Sequence, residues 1–147
     1  MFESTLSTVF ETYNFTLWGM WLIFVTIVAQ AMIATVAHRK QTQYVPGIVD
    51  DKLSHESFVF RSHRTIQNSL ENIVQFIVPA ILAMLVGADE GWLSGLVWTY
   101  AIARLIHMVL YYAIATEKNP SPRSYFYIIG LFANIGVLVL LASALAA

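Results

Sequence analysis

The sequence has no cysteine. That absence excludes a disulfide framework, a thiolate metal site and a cysteine nucleophile, so any sulfur chemistry must take its thiol from a cosubstrate. Charge is scarce too, with only 12% of the 147 residues being Asp, Glu, Lys or Arg. Lys and Arg are missing altogether from the N-terminal segment, from the Asp89-Glu90 turn and from the C-terminus. Internal repeats, low-complexity tracts and linker-like stretches are lacking as well, so the chain reads as one domain over 1–147. Neither a nucleic-acid partner nor a bound metal is expected.

What is present is apolar. Hydrophobic residues make up 58% of the chain, and the mean hydropathy is +0.65, a composition that suits lipid better than water. Four long apolar runs, at about 15–37, 66–86, 92–115 and 125–147, carry that average. Each reaches the roughly 20 residues a helix needs to cross a hydrocarbon core of about 30 Å. With their polar entry turns the expected spans are about 15–37, 62–86, 92–115 and 123–145, giving an all-α, integral membrane four-helix bundle. The first run follows Glu3 and Glu11 without a basic leader or a small-residue cleavage site, and so reads as a retained span.

The basic residues are one-sided. Arg39, Lys40, Lys52, Arg61 and Arg64 cluster around the loop at about 38–61, while Lys118 and Arg123 flank the third connection. The positive-inside rule puts both loops in the cytoplasm and both termini on the opposite side. Pro46-Gly47 marks a turn, Gly87 and Gly91 bracket a tight second connection, and Pro120 and Pro122 should end the third span sharply. Pro79 should kink the second span unless neighbours satisfy the freed carbonyl. Tyr13, Trp18, Trp92 and Trp98 suit an aromatic belt at the non-cytoplasmic interface.

The chemistry lies where polar residues enter the apolar runs. Arg61, Arg64, Asn68 and Glu71 stand at i, i+3, i+7 and i+10 of the second span, a stripe that descends into the membrane. An ionised residue at mid-membrane costs about 2.5–3.5 kcal/mol on insertion scales, so Glu71 needs a partner or a function. Arg104, His107 and Tyr111 repeat the spacing on the third span, and Arg104 is the expected counter-ion of Glu71. Arg123, Ser124 and Tyr127 add a cation, a hydroxyl and a phenol to the first turns of the fourth. Taken singly, each has a plain reading: arginines as headgroup anchors, Glu71 with Arg104 as a structural ion pair, His107 and Tyr111 as hydrogen-bonded packing, Asn68 and Asn134 as interhelical glue. Convergence in one leaflet favours a site. Several arginines suit a carboxylate-bearing ligand, and glutathione offers two carboxylates, an amine and a thiol.

At these residues the sequence resembles the MAPEG superfamily, the membrane-associated proteins in eicosanoid and glutathione metabolism, over nearly its whole length. Arg64-Thr-Ile-Gln-Asn68-Ser-Leu-Glu71 is similar to the family's second-span signature, Arg104-Leu-Ile-His107-Met-Val-Leu-Tyr111 to its third-span pattern, and Arg123-Ser124-Tyr-Phe-Tyr127 to the opening of its fourth. The resemblance implies a homotrimer with glutathione bound between subunits near the cytoplasmic side. It implies glutathione contacts at Arg64, Asn68, Glu71, His107, Tyr111 and Tyr127, with Arg61 and Arg104 beside them, while Arg123 stabilises the thiolate and Ser124 assists. The substrate would be a hydrophobic, lipid-like electrophile, and the membrane a bacterial inner membrane or the endoplasmic reticulum. Two positions depart from the prostaglandin-synthase pattern: Gln67 stands where an Arg precedes the Asn, and Ala37, followed by His38 and Arg39, stands where the first span carries an Arg. A non-catalytic lipid-binding or scaffold protein of the same fold is the alternative. A small channel is disfavoured because the second and third spans turn apolar beyond the polar cluster.

Overall fold

A computed structural model describes residues 2–147, with side chains described from Ser7 onward. The described residues form five helices: α1 (Phe2–Thr12), α2 (Asn14–Arg39), α3 (Phe58–Leu85), α4 (Glu90–Ala113) and α5 (Pro122–Ala146). No strand occurs among the described residues; an isolated bridge between Val45 and Ile48 closes the Pro46-Gly47 turn. Helices α2 to α5 are each long and apolar enough to cross a membrane. Helix α1 falls outside the expected spans and, at 11 residues, is too short to cross a membrane.

Local signals explain three of the helix ends. Gly87 takes a φ of 74° in the turn between α3 and α4, a conformation that a Cβ would strain. Asp89 caps α4 by accepting the Trp92 backbone N–H at 2.8 Å. At α5, Pro122 occupies the first turn and the Ser124 hydroxyl accepts the Ser121 backbone N–H at 3.2 Å. Helix α3 runs unbroken through Pro79 and begins at Phe58, four residues ahead of the expected entry at 62.

The bundle is sealed at the α3–α4 turn. Tyr13 is buried there, not lipid-facing as an interface belt requires, and its hydroxyl donates to the Ala88 carbonyl. Burial, reinforced by the nearby Glu90 and Asp89 carboxylates, pushes its pKa up, so it remains a donor. Trp98 donates its indole N–H to the Phe15 carbonyl at 3.0 Å, while Trp18 and Trp92 are exposed as belt residues should be. From this end the core is apolar: Met20, Ile23, Ala80, Ala83, Leu93 and Val97 pack around Phe76 and Tyr100, whose rings stack at 3.7 Å. Toward the opposite end buried Ser69, Arg104, His107, Thr65, Ser62 and Arg61 replace them. Lipid gives little hydrophobic drive to helix pairing, so close packing and interhelical hydrogen bonds hold such a bundle together.

Candidate functional site

The polar half of the bundle opens into a cleft of about 550 Å³ lined by His55, Arg64, Asn68, His107, Tyr111, Arg123, Ser124, Tyr127 and Ile128. Three helices and the loop before α3 contribute, each by a local rule. On α4, His107 and Tyr111 share a face one turn apart, their rings in edge contact at 5.9 Å. Arg123 leaves the first turn of α5 and lays its guanidinium 3.9 Å above the Tyr111 ring, a cation–π contact that fixes its direction. No carboxylate lines the cleft, and none pairs with Arg123 among the described residues. Its field is therefore that of an anion site.

Asn68 is oriented from behind. Arg104 donates to Asn68 Oδ1 at 2.7 Å and to Ser69 Oγ at 3.2 Å. With its carbonyl oxygen engaged, Asn68, a lining residue of the cleft, keeps its amide N–H groups as donors. His107 is 5% exposed, and its Nδ1 is buried with no hydrogen-bond partner. An orphaned polar atom in the wall of a cavity is one that a ligand can satisfy.

The expected Arg104–Glu71 ion pair is not formed. Glu71 instead accepts from Arg64 at 3.2 Å, and Arg64 also donates to Gln67 Oε1 at 3.3 Å. Helical phase explains the difference, because at 3.6 residues per turn the stripe splits into two edges about 60° apart. Arg61 and Asn68 share the inner edge, which meets α4, while Arg64 and Glu71 share the outer one.

Of the anticipated residues, Arg64, Asn68, His107, Tyr111, Arg123, Ser124 and Tyr127 meet in the cleft, whereas Arg61 and Arg104 stand behind its lining and Glu71 is exposed on the outer edge of α3. Arg61 is buried and donates to the carbonyls of His55 at 2.7 Å, Glu56 at 2.9 Å and Tyr112 at 3.3 Å, tying loop to helix. Asn134, assigned to interhelical glue, is buried with its Oδ1 unpartnered. The two departing positions lie outside the cleft. Gln67 is exposed on α3, Ala37 is buried, and His38 contacts the Val45 carbonyl at 2.9 Å beside a second cleft of about 510 Å³ between α2, the first loop and α3.

Sequence reasoning missed His55. It lies in the first loop, outside every periodic segment, yet its Nδ1 is 3.0 Å from the Tyr111 hydroxyl. The unusual length of that loop was the one signal pointing there.

The MAPEG family model matches residues 15–143. No curated protein and no solved structure matches the chain.

Proposed function

The chain belongs to the MAPEG family, and from that premise we propose that it is a glutathione-dependent transferase or peroxidase, with isomerase chemistry as a variant, acting on hydrophobic electrophiles dissolved in the bilayer. The observation that carries the proposal is the cleft in which Arg64 and Arg123 meet His107, Tyr111 and Tyr127 without a lining carboxylate.

The residues fit glutathione in kind. Arg64 and the amide N–H donors of Asn68 suit its carboxylates, and the orphaned His107 Nδ1 offers a further polar contact. Glu71 keeps Arg64 extended along α3, and Arg104 does the same for Asn68, so both act through the residues they hold. Arg123, anchored on Tyr111, provides a fixed positive charge. A guanidinium beside a thiol lowers the thiol pKa and raises the fraction of nucleophile at neutral pH. The Ser124 hydroxyl is engaged with Ser121 as a cap and retains hydrogen-bonding capacity toward the same sulfur. Glutathione supplies the nucleophile; the chain binds it, orients it and stabilises its charge.

The chain is an integral multi-pass membrane protein. Its basic loops support a cytoplasmic-leaflet position for the cleft. Exposed Gln67, Glu71 and Gln75 follow one face of α3. Such groups are costly against hydrocarbon, which supports a homotrimer in which neighbouring copies cover that face.

The test is conjugation of glutathione to an activated aryl halide by purified protein, wild type against Arg123→Ala. Loss of one charge-stabilising donor lowers kcat on the order of 10²-fold. Equal rates would remove Arg123 from the chemistry, and no turnover in either protein would favour the non-catalytic alternative.

A further inference from the structure

The thiol-site reading leaves one atom without a destination. A guanidinium stabilises a thiolate and cannot take the proton that leaves it, because arginine is always charged. We infer that His55 is the proton acceptor of this site, reached through the Tyr111 hydroxyl and held by Glu117.

The inference rests on that reading and on the following geometry. Tyr111 lies between two groups of different kind, with Arg123 over its ring at 3.9 Å and His55 Nδ1 at its hydroxyl at 3.0 Å. The His55 ring is held between Phe60 and Tyr111, with centroids at 5.0 and 5.5 Å. Its main chain is fixed on both sides: the N–H donates to Glu117 Oε1 at 3.0 Å, and the carbonyl accepts from Arg61 at 2.7 Å. The second carboxylate oxygen of Glu117 stands 3.9 Å from Nε2. A carboxylate on that side favours the tautomer with its proton on Nε2, which leaves Nδ1 as an acceptor toward Tyr111.

Two imidazoles line the cleft, and their surroundings separate them. His107 is 5% exposed with no carboxylate paired to it among the described residues, so an imidazolium there is unpaired and poorly solvated. The His55 side chain is 23% exposed and faces Glu117. Arg61 and Arg64 from α3 and Arg123 from α5 oppose a positive charge nearby, while Glu117 and water favour it.

The transfer balances. The bound thiol's S–H bond breaks as its proton bonds to Tyr111 Oη, and the phenol's own proton passes to His55 Nδ1. Tyr111 ends neutral and His55 ends as an imidazolium facing Glu117.

The experiment follows the rate at which thiolate absorbance appears after glutathione is mixed with purified wild type, His55→Asn, His55→Ala and Glu117→Gln, with glutathione binding measured calorimetrically in parallel. Asparagine keeps an acceptor near the Nδ1 position but cannot take the proton. His55→Asn is expected to bind glutathione as wild type does and to form thiolate on the order of 10²-fold more slowly. His55→Ala should recover speed when free imidazole is added, and the recovery should follow the neutral fraction of imidazole as pH varies. Glu117→Gln, a change on an exposed side chain, should slow the step about two- to fivefold. Thiolate formation at the wild-type rate in His55→Asn, or an imidazole-independent defect in His55→Ala, overturns the relay and leaves the thiol site standing. Absence of thiolate in wild type overturns the thiol site and the relay together.

Discussion

Arg61 shows how much a single residue's role depends on which way its side chain turns. It shares a sequence stripe with Arg64, yet it is 8% exposed and its two terminal nitrogens donate to carbonyls of His55, Glu56 and Tyr112. A lysine ammonium is a point charge and cannot fork across all three. Arg61→Lys should lower stability in detergent by about 1–3 kcal/mol, read by thermal unfolding; an unchanged midpoint would mean those carbonyls find water as readily. The same reasoning covers what the sequence could not reveal about the site. Residue types and spacing singled out Arg64, Asn68, His107, Tyr111, Arg123, Ser124 and Tyr127, and all seven line one cleft. Spacing counted in whole residues did not resolve the phase difference that sends Asn68 to Arg104 and Glu71 to Arg64. His55 sits in irregular backbone, where no periodicity exists to read.

At the scale of elements, α4 is approached closely by both α2 and α5. A Cβ built on Gly19 would meet Val97 Cγ1 at 2.8 Å, and one on Gly136 of α5 would meet Leu96 Cδ2 at 2.6 Å. The shorter distance is the cheaper clash. Val97 is fully buried and β-branched, so its methyl cannot swing aside, whereas half-buried Leu96 can change rotamer. Gly19→Ala is expected to cost about 1–3 kcal/mol and Gly136→Ala clearly less, compared by unfolding in one detergent; the reverse order would contradict the packing argument. Tyr13→Phe removes the hydroxyl that joins the start of α2 to Ala88 and should cost about 1 kcal/mol. Element ends with a chemical mark, at Gly87 and Pro122, were legible beforehand, whereas α4 starts at Glu90, so that Gly91, expected to close the connection, lies inside the helix. The start of α3 was not legible, because its first turn is marked only by Ser57, with an apolar Phe-Val-Phe that a loop could equally carry.

For the whole molecule, hydropathy alone sufficed for four spans, because crossing a bilayer imposes a length and composition that little else does. Assembly is less legible in one chain. The outer face of α3 exposes Gln67, Glu71 and Gln75, and burying it against further copies relieves the cost of polar groups in lipid. Cross-linking in native membranes should therefore yield a ladder ending at three copies; a ladder ending at one would leave that face to lipid and contradict the trimer. The central claim is that a fixed guanidinium in this cleft holds glutathione as its thiolate. Its most direct test is the ultraviolet difference spectrum of purified protein at saturating glutathione and neutral pH. A thiolate band in wild type that is lost in Arg123→Ala is the predicted result, and no band in wild type, or an undiminished one in Arg123→Ala, would contradict it.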